Sequence, residues 1–394
     1  MYFASAWHLT KIAATTAWDT TQGLGQTIAI IDSGVDPTHP DLVGRLVAGW
    51  NFYDGNSNTT DLSGHGTGVA GAAAATTDNT IGVASVAGLA KIMPLRVTAP
   101  DGFGYWSMMA QAMDYAASKG VRVANISYDA LLTSSAVVNA AQSAKVNKGM
   151  LTVIAGGNND IVETWTPSTA VIAVSATNQS DVLTTWASRG PYVSLAAPGI
   201  DIWSTNRGGS YSTWYGSSLS SPVVAGVLAL MFSANTALTA AQAESALFAS
   251  ADDLGTAGRD SLYGYGRVNA AAAVAAALGT APPDPPASDV TAPTISITAP
   301  AQSATVKQTV AITATAADAV GVTKVEFRAA GALKATDTNA PYSFSWDSTK
   351  VANGAITLEV RAYDAAGNTT SASISVSVLN TVKGGGGGGG KPRR

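Results

Sequence analysis

The chain has no cysteine, only three histidines and little charge. Without cysteine there is no disulfide, no thiolate metal site and no thiol nucleophile. The histidines are His8, His39 and His65, so any step that needs an imidazole falls to one of them. Only 12% of residues are charged, the net charge is −4, and no basic patch stands out. Nucleic acid is therefore not an expected partner. No apolar run reaches membrane-spanning length; Ala270 to Leu278 is too short. The N-terminus lacks the charged, apolar and cleavage regions of a signal peptide.

What is there is enough chain, 394 residues, for two domains and a large core. Residues 1–278 alternate apolar runs with helical patterns. Strands are expected over 27–32, 46–50, 91–97, 122–127, 151–155, 170–176 and 192–196. Helices are expected over 64–76, 106–119, 135–148, 218–236, 240–250 and 267–278. Unbroken apolar strands such as Leu151 to Ala155 suit a parallel sheet covered on both faces, hence an α/β doubly wound fold. The Pro-rich stretch 279–291 reads as an extended linker. Beyond it, Ile295 to Thr298, Val325 to Arg328 and Leu358 to Arg361 alternate with period two, with turns such as Ala365-Ala366-Gly367-Asn368 between strands. Residues 292–379 thus read as a small β-sandwich, and the Gly-rich tail 380–394 as unable to pack.

Three stretches carry chemistry. Thr27 to Asp32 is an apolar strand ending in a carboxylate. Gly64-His65-Gly66-Thr67-Gly68 opens a helix of small residues with an imidazole. Gly216-Ser217-Ser218-Leu219-Ser220-Ser221-Pro222 leads hydroxyls into an apolar helix, with Pro222 expected in its first turn. A hydroxyl at a helix N-terminus sits where developing negative charge is favoured. Read alone, that stretch is an ordinary cap. Ser217, Ser220 and Ser221 compete with Ser218 for the role of nucleophile, and Asp36 competes with Asp32 for the imidazole.

With the three stretches in the order Asp, His, Ser, residues 1–278 resemble the subtilases, the subtilisin-like serine peptidases. Residues 292–379 resemble a bacterial immunoglobulin-like domain. The first resemblance implies a serine endopeptidase with Ser218 as nucleophile, His65 as base, Asp32 orienting the ring and Asn158 as oxyanion donor. It implies a substrate strand held between Gly102-Phe103-Gly104-Tyr105-Trp106 and Ser127-Tyr128-Asp129-Ala130. Trp106 then lines a subsite, unless it is a core aromatic; Ala155 and Gly157 flank the primary pocket. It also implies a calcium site built from Asp41, Asn79 and the carbonyls of Thr77, Ile81 and Val83. His39 belongs to a structural turn, and His8 has no motif around it.

Four positions depart from the family pattern. Asp129 and Ala130 stand where two glycines are common, which opens the pocket to basic side chains. Leu219 replaces an oxidisable methionine. Gly68 replaces a histidine, with no catalytic consequence expected. The implied protein is secreted and monomeric, acts on proteins or peptides, uses no organic cofactor and lacks its inhibitory propeptide in this chain. A non-catalytic surface adhesin is the alternative, but it needs no complete Asp, His, Ser and Asn set. A lipase is disfavoured because Gly-x-Ser-x-Gly is absent around Ser218.

Overall fold

A computed structural model of the chain describes residues 5–129, 131–279, 291–318, 321–364 and 368–380. Ala130, linker residues 280–290, turn residues 365–367 and tail residues 381–394 lie outside the described residues. The chain forms two compact units, one on either side of Pro283.

The first unit opens with two short helices, α1 (Trp7–Lys11) and α2 (Ala14–Ala17). There follow β1 (Thr27–Asp32), β2 (Trp50–Asn51), α3 (His65–Ala74), β3 (Lys91–Arg96), α4 (Trp106–Ser118) and β4 (Val123–Ile126). Next come α5 (Ser135–Lys148), β5 (Leu151–Ala155), β6 (Val171–Thr177), β7 (Leu195–Pro198), β8 (Ile202–Asn206) and β9 (Ser210–Trp214). Three helices, α6 (Ser217–Ala234), α7 (Ala240–Ala249) and α8 (Ala270–Ala277), close the unit. Seven strands form one sheet in the order β2-β3-β1-β4-β5-β6-β7, and every pairing is parallel.

β1 explains why the sheet is covered on both faces. Ile28 and Ile30 pack into the core shared with α3, α6 and α8. Ala29 and Ile31 pack into the core shared with α4 and α5. The chain leaves β1 for β3 on one side and reaches β4 on the other. The carboxyl end of β1 is therefore the switch point where an open α/β sheet leaves a crevice, and Asp32 is its last residue.

α6 is apolar nearly all round and mostly buried, as a core helix should be. Among the described residues it is the one helix long and apolar enough to cross a membrane, although the sequence reading expected no such run. Here it packs against strands β4 to β7 and helices α3 and α8. Pro222 is not in its first turn: the helix starts at Ser217, so Pro222 lies in the second. The hydroxyl-rich turn is itself helical, so it makes up the first turn and Pro222 follows it.

Other differences have local causes. The strand expected over 46–50 reduces to Trp50–Asn51, with Leu46 making an isolated bridge to Ile92. The strand expected over 192–196 shifts to Leu195–Pro198, because Tyr192 and Val193 pack into the core before pairing begins. The antiparallel β8–β9 hairpin was not expected. Its Ser204 and Thr205 hydroxyls donate to the Gly68 and Thr67 carbonyls of α3 at 2.6 and 2.7 Å.

The second unit holds β10 (Thr294–Ala299), β11 (Thr305–Val306), β12 (Thr309–Ala317), β13 (Val322–Ala329), β14 (Ala332–Asp337), β15 (Tyr342–Asp347), β16 (Gly354–Asp364) and β17 (Thr369–Val378). They form a three-stranded sheet, β10-β12-β15, and a five-stranded sheet, β11-β17-β16-β13-β14. Leu358, Val360 and Ala362 alternate inward along β16 and join Phe327 and Trp346 in one core.

The small residues of α3 let it approach β1. A Cβ on Gly66 would lie 2.2 Å from the Gly34 carbonyl oxygen and 3.0 Å from the Asp32 Cβ. Helix propensity favours Gly66→Ala by roughly 1 kcal/mol, while overpacking costs about 1–3 kcal/mol. Because the obstacle is backbone, the clash wins. Gly66→Ala is expected to lower the melting temperature, whereas Gly44→Ala, which meets nothing within 4 Å, is expected to leave it in place. Thermal unfolding followed by circular dichroism checks both.

Candidate active site

Asp32 is fully buried. Its Oδ1 accepts from the Ser33 N–H at 2.7 Å and bonds His65 Nδ1 at 2.8 Å. Its Oδ2 is buried without a hydrogen-bond partner among the described residues. An ionised carboxylate only accepts, so the ring proton sits on Nδ1 and Nε2 keeps its lone pair. Burial opposes a charge on the ring. Asp32 beside it, and Asp61 at longer range, more than offset that, so His65 titrates above its ordinary 6.5.

Asp61, which sequence reasoning missed, holds the entry to α3. The helix N-cap is Gly64, which has no side chain to offer. Buried Asp61 takes over: Oδ1 accepts from the N–H groups of Ser63 and Gly64 at 3.0 and 2.7 Å and from Ser33 Oγ at 2.8 Å. Its Oδ2 accepts from the Thr67 N–H and hydroxyl at 2.9 and 2.6 Å. Ser33 Oγ accepts in turn from the Gly66 N–H at 2.9 Å. One carboxylate thus ties the end of β1 to the first turn of α3, where negative charge is also favoured by the helix dipole. An Asp shortly before the Gly-His-Gly-Thr stretch was the available signal.

Of the serines at 217, 218, 220 and 221, only Ser218 is not buried. Ser218 Oγ donates to the Ser127 carbonyl at 3.1 Å, and Ser127 Oγ donates back to the Ser218 carbonyl at 2.8 Å. The second bond exists because residue 222, being proline, has no N–H to give to the carbonyl four residues earlier. Buried Asn125 supports Ser127: its Nδ2 donates to Ser127 Oγ at 2.9 Å. Ser221 Oγ lies 3.1 Å from the same hydroxyl. Asn158 Oδ1 accepts from the Ser217 N–H and hydroxyl at 2.8 and 2.9 Å. That leaves its Nδ2 end unoccupied by Ser217. Gly216, at φ +127°, borders it: a Cβ there would come within 3.3 Å of Nδ2.

His65, Ser127, Tyr128, Asp129, Ala155, Asn158, Ser217, Ser218 and Gly102 line one cleft of about 330 Å³. A neighbouring pocket of about 620 Å³ shares Gly102, Tyr128 and Asp129 and adds Gly104 and Trp106. Trp106 is 45% exposed, so it is a wall and not a core aromatic. Tyr128 joins the two edges: its hydroxyl donates to the Gly102 carbonyl at 3.0 Å. Burial, with Asp32 and Asp61 nearby, pushes that phenol well above its usual range, so it stays neutral. Gly157 lines neither space; at φ +110° it backs onto Ser188.

The competing groups are engaged elsewhere. Asp36 accepts from the Thr38 N–H and hydroxyl and from the Gly208 N–H. His39 is buried between the Asp41 N–H and the Ser210 carbonyl. His8 is buried, which pushes its pKa down to about 4. Gly68 leaves room for Trp214: a Cβ would meet the indole at 2.7 Å, and that indole stands edge-on to His65 at 6.5 Å.

Of the residues expected to form a calcium site, Asn79 and Val83 bond Asp41, which does not line the cleft. Asp41 is buried, and its oxygens accept from Asn79 Nδ2 at 2.6 Å and the Val83 N–H at 2.9 Å. Thr77 Oγ accepts from the Ser85 N–H, and Ile81 is partly exposed. Among the described residues no three acidic, histidine or cysteine side chains cluster as metal ligands.

Comparison with known proteins identifies the family. The model of the subtilase family matches residues 23–266, and that of a bacterial Ig domain matches 293–360. The chain is 38% identical to thermitase of Thermoactinomyces vulgaris over 67% of its own length and 94% of that protein. It is 40% identical to a thermophilic serine proteinase of a Bacillus species over 66% of its own length, and spans 64% of that relative. Its fold matches a protease of Pseudoalteromonas arctica with TM-score 0.63 and 29% identity, over 70% of this chain and 98% of that one. With a family model covering most of the first unit and its parallel sheet carrying buried Asp32 bonded to a half-buried His65, the chain belongs to the subtilase family and is a subtilisin-like serine peptidase carrying a C-terminal immunoglobulin-like region.

Proposed function

We propose that the chain is a secreted, monomeric endopeptidase that cuts proteins through an Asp32, His65 and Ser218 triad with Asn158 as oxyanion donor. The observation that carries this is the 2.8 Å bond from His65 Nδ1 to buried Asp32, in a cleft that Ser218 also lines. Turning Ser218 Oγ from the Ser127 carbonyl directs it to His65 Nε2; resting sites often have this bond unformed. Ser218 then attacks the peptide carbonyl as His65 takes its proton. His65 next protonates the leaving amine, and water hydrolyses the acyl-enzyme. Asn158 Nδ2 and the Ser218 N–H receive the oxyanion. The substrate lies as an added strand along Gly102 to Gly104 and Ser127 to Asp129. We read residues 1–278 as the peptidase domain, 279–291 as linker, 292–379 as sandwich domain and 380–394 as tail.

A fluorophosphonate is expected to label the chain once, at Ser218, and not to label Ser218→Ala; peptide mapping by mass spectrometry checks it. Asn158→Ala is expected to lower kcat about 10²–10³-fold with little change in KM. That magnitude is borrowed from the same donor in subtilisin.

A protonated His65 cannot take the Ser218 proton. kcat/KM should therefore fall on the acid side with a midpoint above 6.5, because the folded ring is raised. Asp32→Asn removes the main raising charge. It is expected to move that midpoint down and to lower kcat by about 10⁴-fold, as in related triads. A pH profile of both proteins with one peptide substrate decides it.

Asp41 is a buried carboxylate whose hydrogen-bond donors, Asn79 and Val83, are neutral, the unbalanced charge that a hard cation compensates. The residues fit calcium: Asp41, Asn79 through its amide oxygen, and the Thr77, Ile81 and Val83 carbonyls would hold it. Bound there, it would supply charge balance to the loop and no catalytic chemistry. At about 100-fold saturation such binding adds about 2.7 kcal/mol, roughly 5–10 °C. Calcium is expected to raise the melting temperature by that order and chelator to reverse it. Asn79→Ala should blunt the response; calorimetry reads all three.

A further inference from the structure

β4 and β5 are parallel neighbours, with Ile126 opposite Ile154. The segments that leave them therefore run side by side, and Ser127, Tyr128 and Asp129 of one with Ala155 and Asn158 of the other line the slot of the cleft that reaches Ser218. Asp129 Oδ2 accepts from Asn159 Nδ2 at 2.9 Å, so one hydrogen bond spans the slot from wall to wall. Both side chains are exposed, and Asp129 borders both the cleft and the aromatic pocket beside it. Asp101 adds a second carboxylate to the cleft, where its Oδ1 accepts from the Phe103 N–H. No lysine or arginine is among the lining residues of either space.

We propose that Asp129 is a specificity-determining residue, which selects peptides with lysine or arginine in the slot beside Ser218 by exchanging its Asn159 partner for the substrate's cation. The inference rests on the reading of Ser218 as nucleophile. The physical difference is between two bonds to one carboxylate. The resting bond comes from a neutral amide; an ammonium or guanidinium brings a full opposite charge to the same carboxylate, which adds Coulomb attraction to the hydrogen bond. The slot closed by Asn159 thus opens to a cation and not to an isosteric neutral chain. Tyr192 donates to the Gly156 carbonyl, and burial, followed by Glu163 and Asp129, holds its phenol above the usual range.

The test compares peptide p-nitroanilides that differ only at the residue before the scissile bond: lysine, norleucine and glutamate. Active sites are first titrated with a neutral fluorophosphonate. The wild type is expected to favour lysine over norleucine by about fivefold at low salt, the upper range for an exposed pair. The ratio should shrink in 0.5 M salt through screening. Asp129→Asn keeps the size and loses the charge, so the ratio should fall toward one. Asp129→Lys should favour glutamate over lysine. A wild type that titrates fully but shows no lysine preference, or a preference unmoved in both variants, overturns the role of Asp129 and leaves the triad standing. A wild type that neither titrates nor cleaves any of the three overturns the triad and this inference with it.

Discussion

The first unit depends on a short bond between two groups far apart in sequence, Asp32 and His65. A carboxylate at full burial is costly unless its charge is met. Here the meeting group is an imidazole on another element, so β1 and α3 must lie in near contact. That requirement explains the composition around it. Residue 66 has no side chain because the Gly34 carbonyl and Asp32 occupy the space. Ser33 and Asp61 exist to fix the spacing, since between them they hold the Gly66, Gly64 and Thr67 N–H groups. The same two carboxylates that position the ring also raise its pKa. Geometry and basicity are therefore set by one arrangement.

The serine side is built on a different economy of backbone groups. Pro222 in the second turn of α6 withholds an N–H, and the Ser218 carbonyl it would have taken goes to Ser127. Because Ser127 also supplies the carbonyl that holds Ser218 Oγ, the helix and the segment after β4 are clamped through a single residue. Asn125 and Ser221 complete the clamp from beneath. A proline that costs a helix one internal bond thereby secures the Ser218 hydroxyl against a neighbouring segment. Asn158 is held through its oxygen by Ser217, so the donor face of the amide is set by the residue just before Ser218.

Much of this was legible in the sequence, for reasons that differ by element. Period and apolar runs placed β1, β3, β5, α4 and α5, because strands covered on both faces and long helices leave strong patterns. The second unit showed itself through alternation at Ile295, Val325 and Leu358. The Asp–His pair was found because its residues sit at the ends of regular elements. What could not be read was side-chain traffic between distant segments. Asp61 looked like one more acidic loop residue until its five bonds were seen. The hairpin at 202–214 was hidden because its strands are short and it serves α3 through hydroxyls. Pro222 was placed one turn early, since proline statistics favour the first turn and say nothing of a carbonyl that has another donor waiting.

The departures from the family pattern also make sense only in space. Gly68 and Leu219 were read as two separate oddities, one without consequence. In the folded unit they border the same cluster. Leu219 packs with Ala72 and Ile202, and Trp7 and Trp214 cover it. Trp214 takes the volume that any side chain at residue 68 would need, and its buried indole nitrogen has no partner among the described residues. A buried N–H left unpaired costs about 1–3 kcal/mol, so the ring must return more than that through contact. It packs against α3 at Gly68 and stands edge-on to His65. The missing side chain at Gly68, the fourth residue of α3, and the indole at the end of a remote hairpin thus fill one space between them.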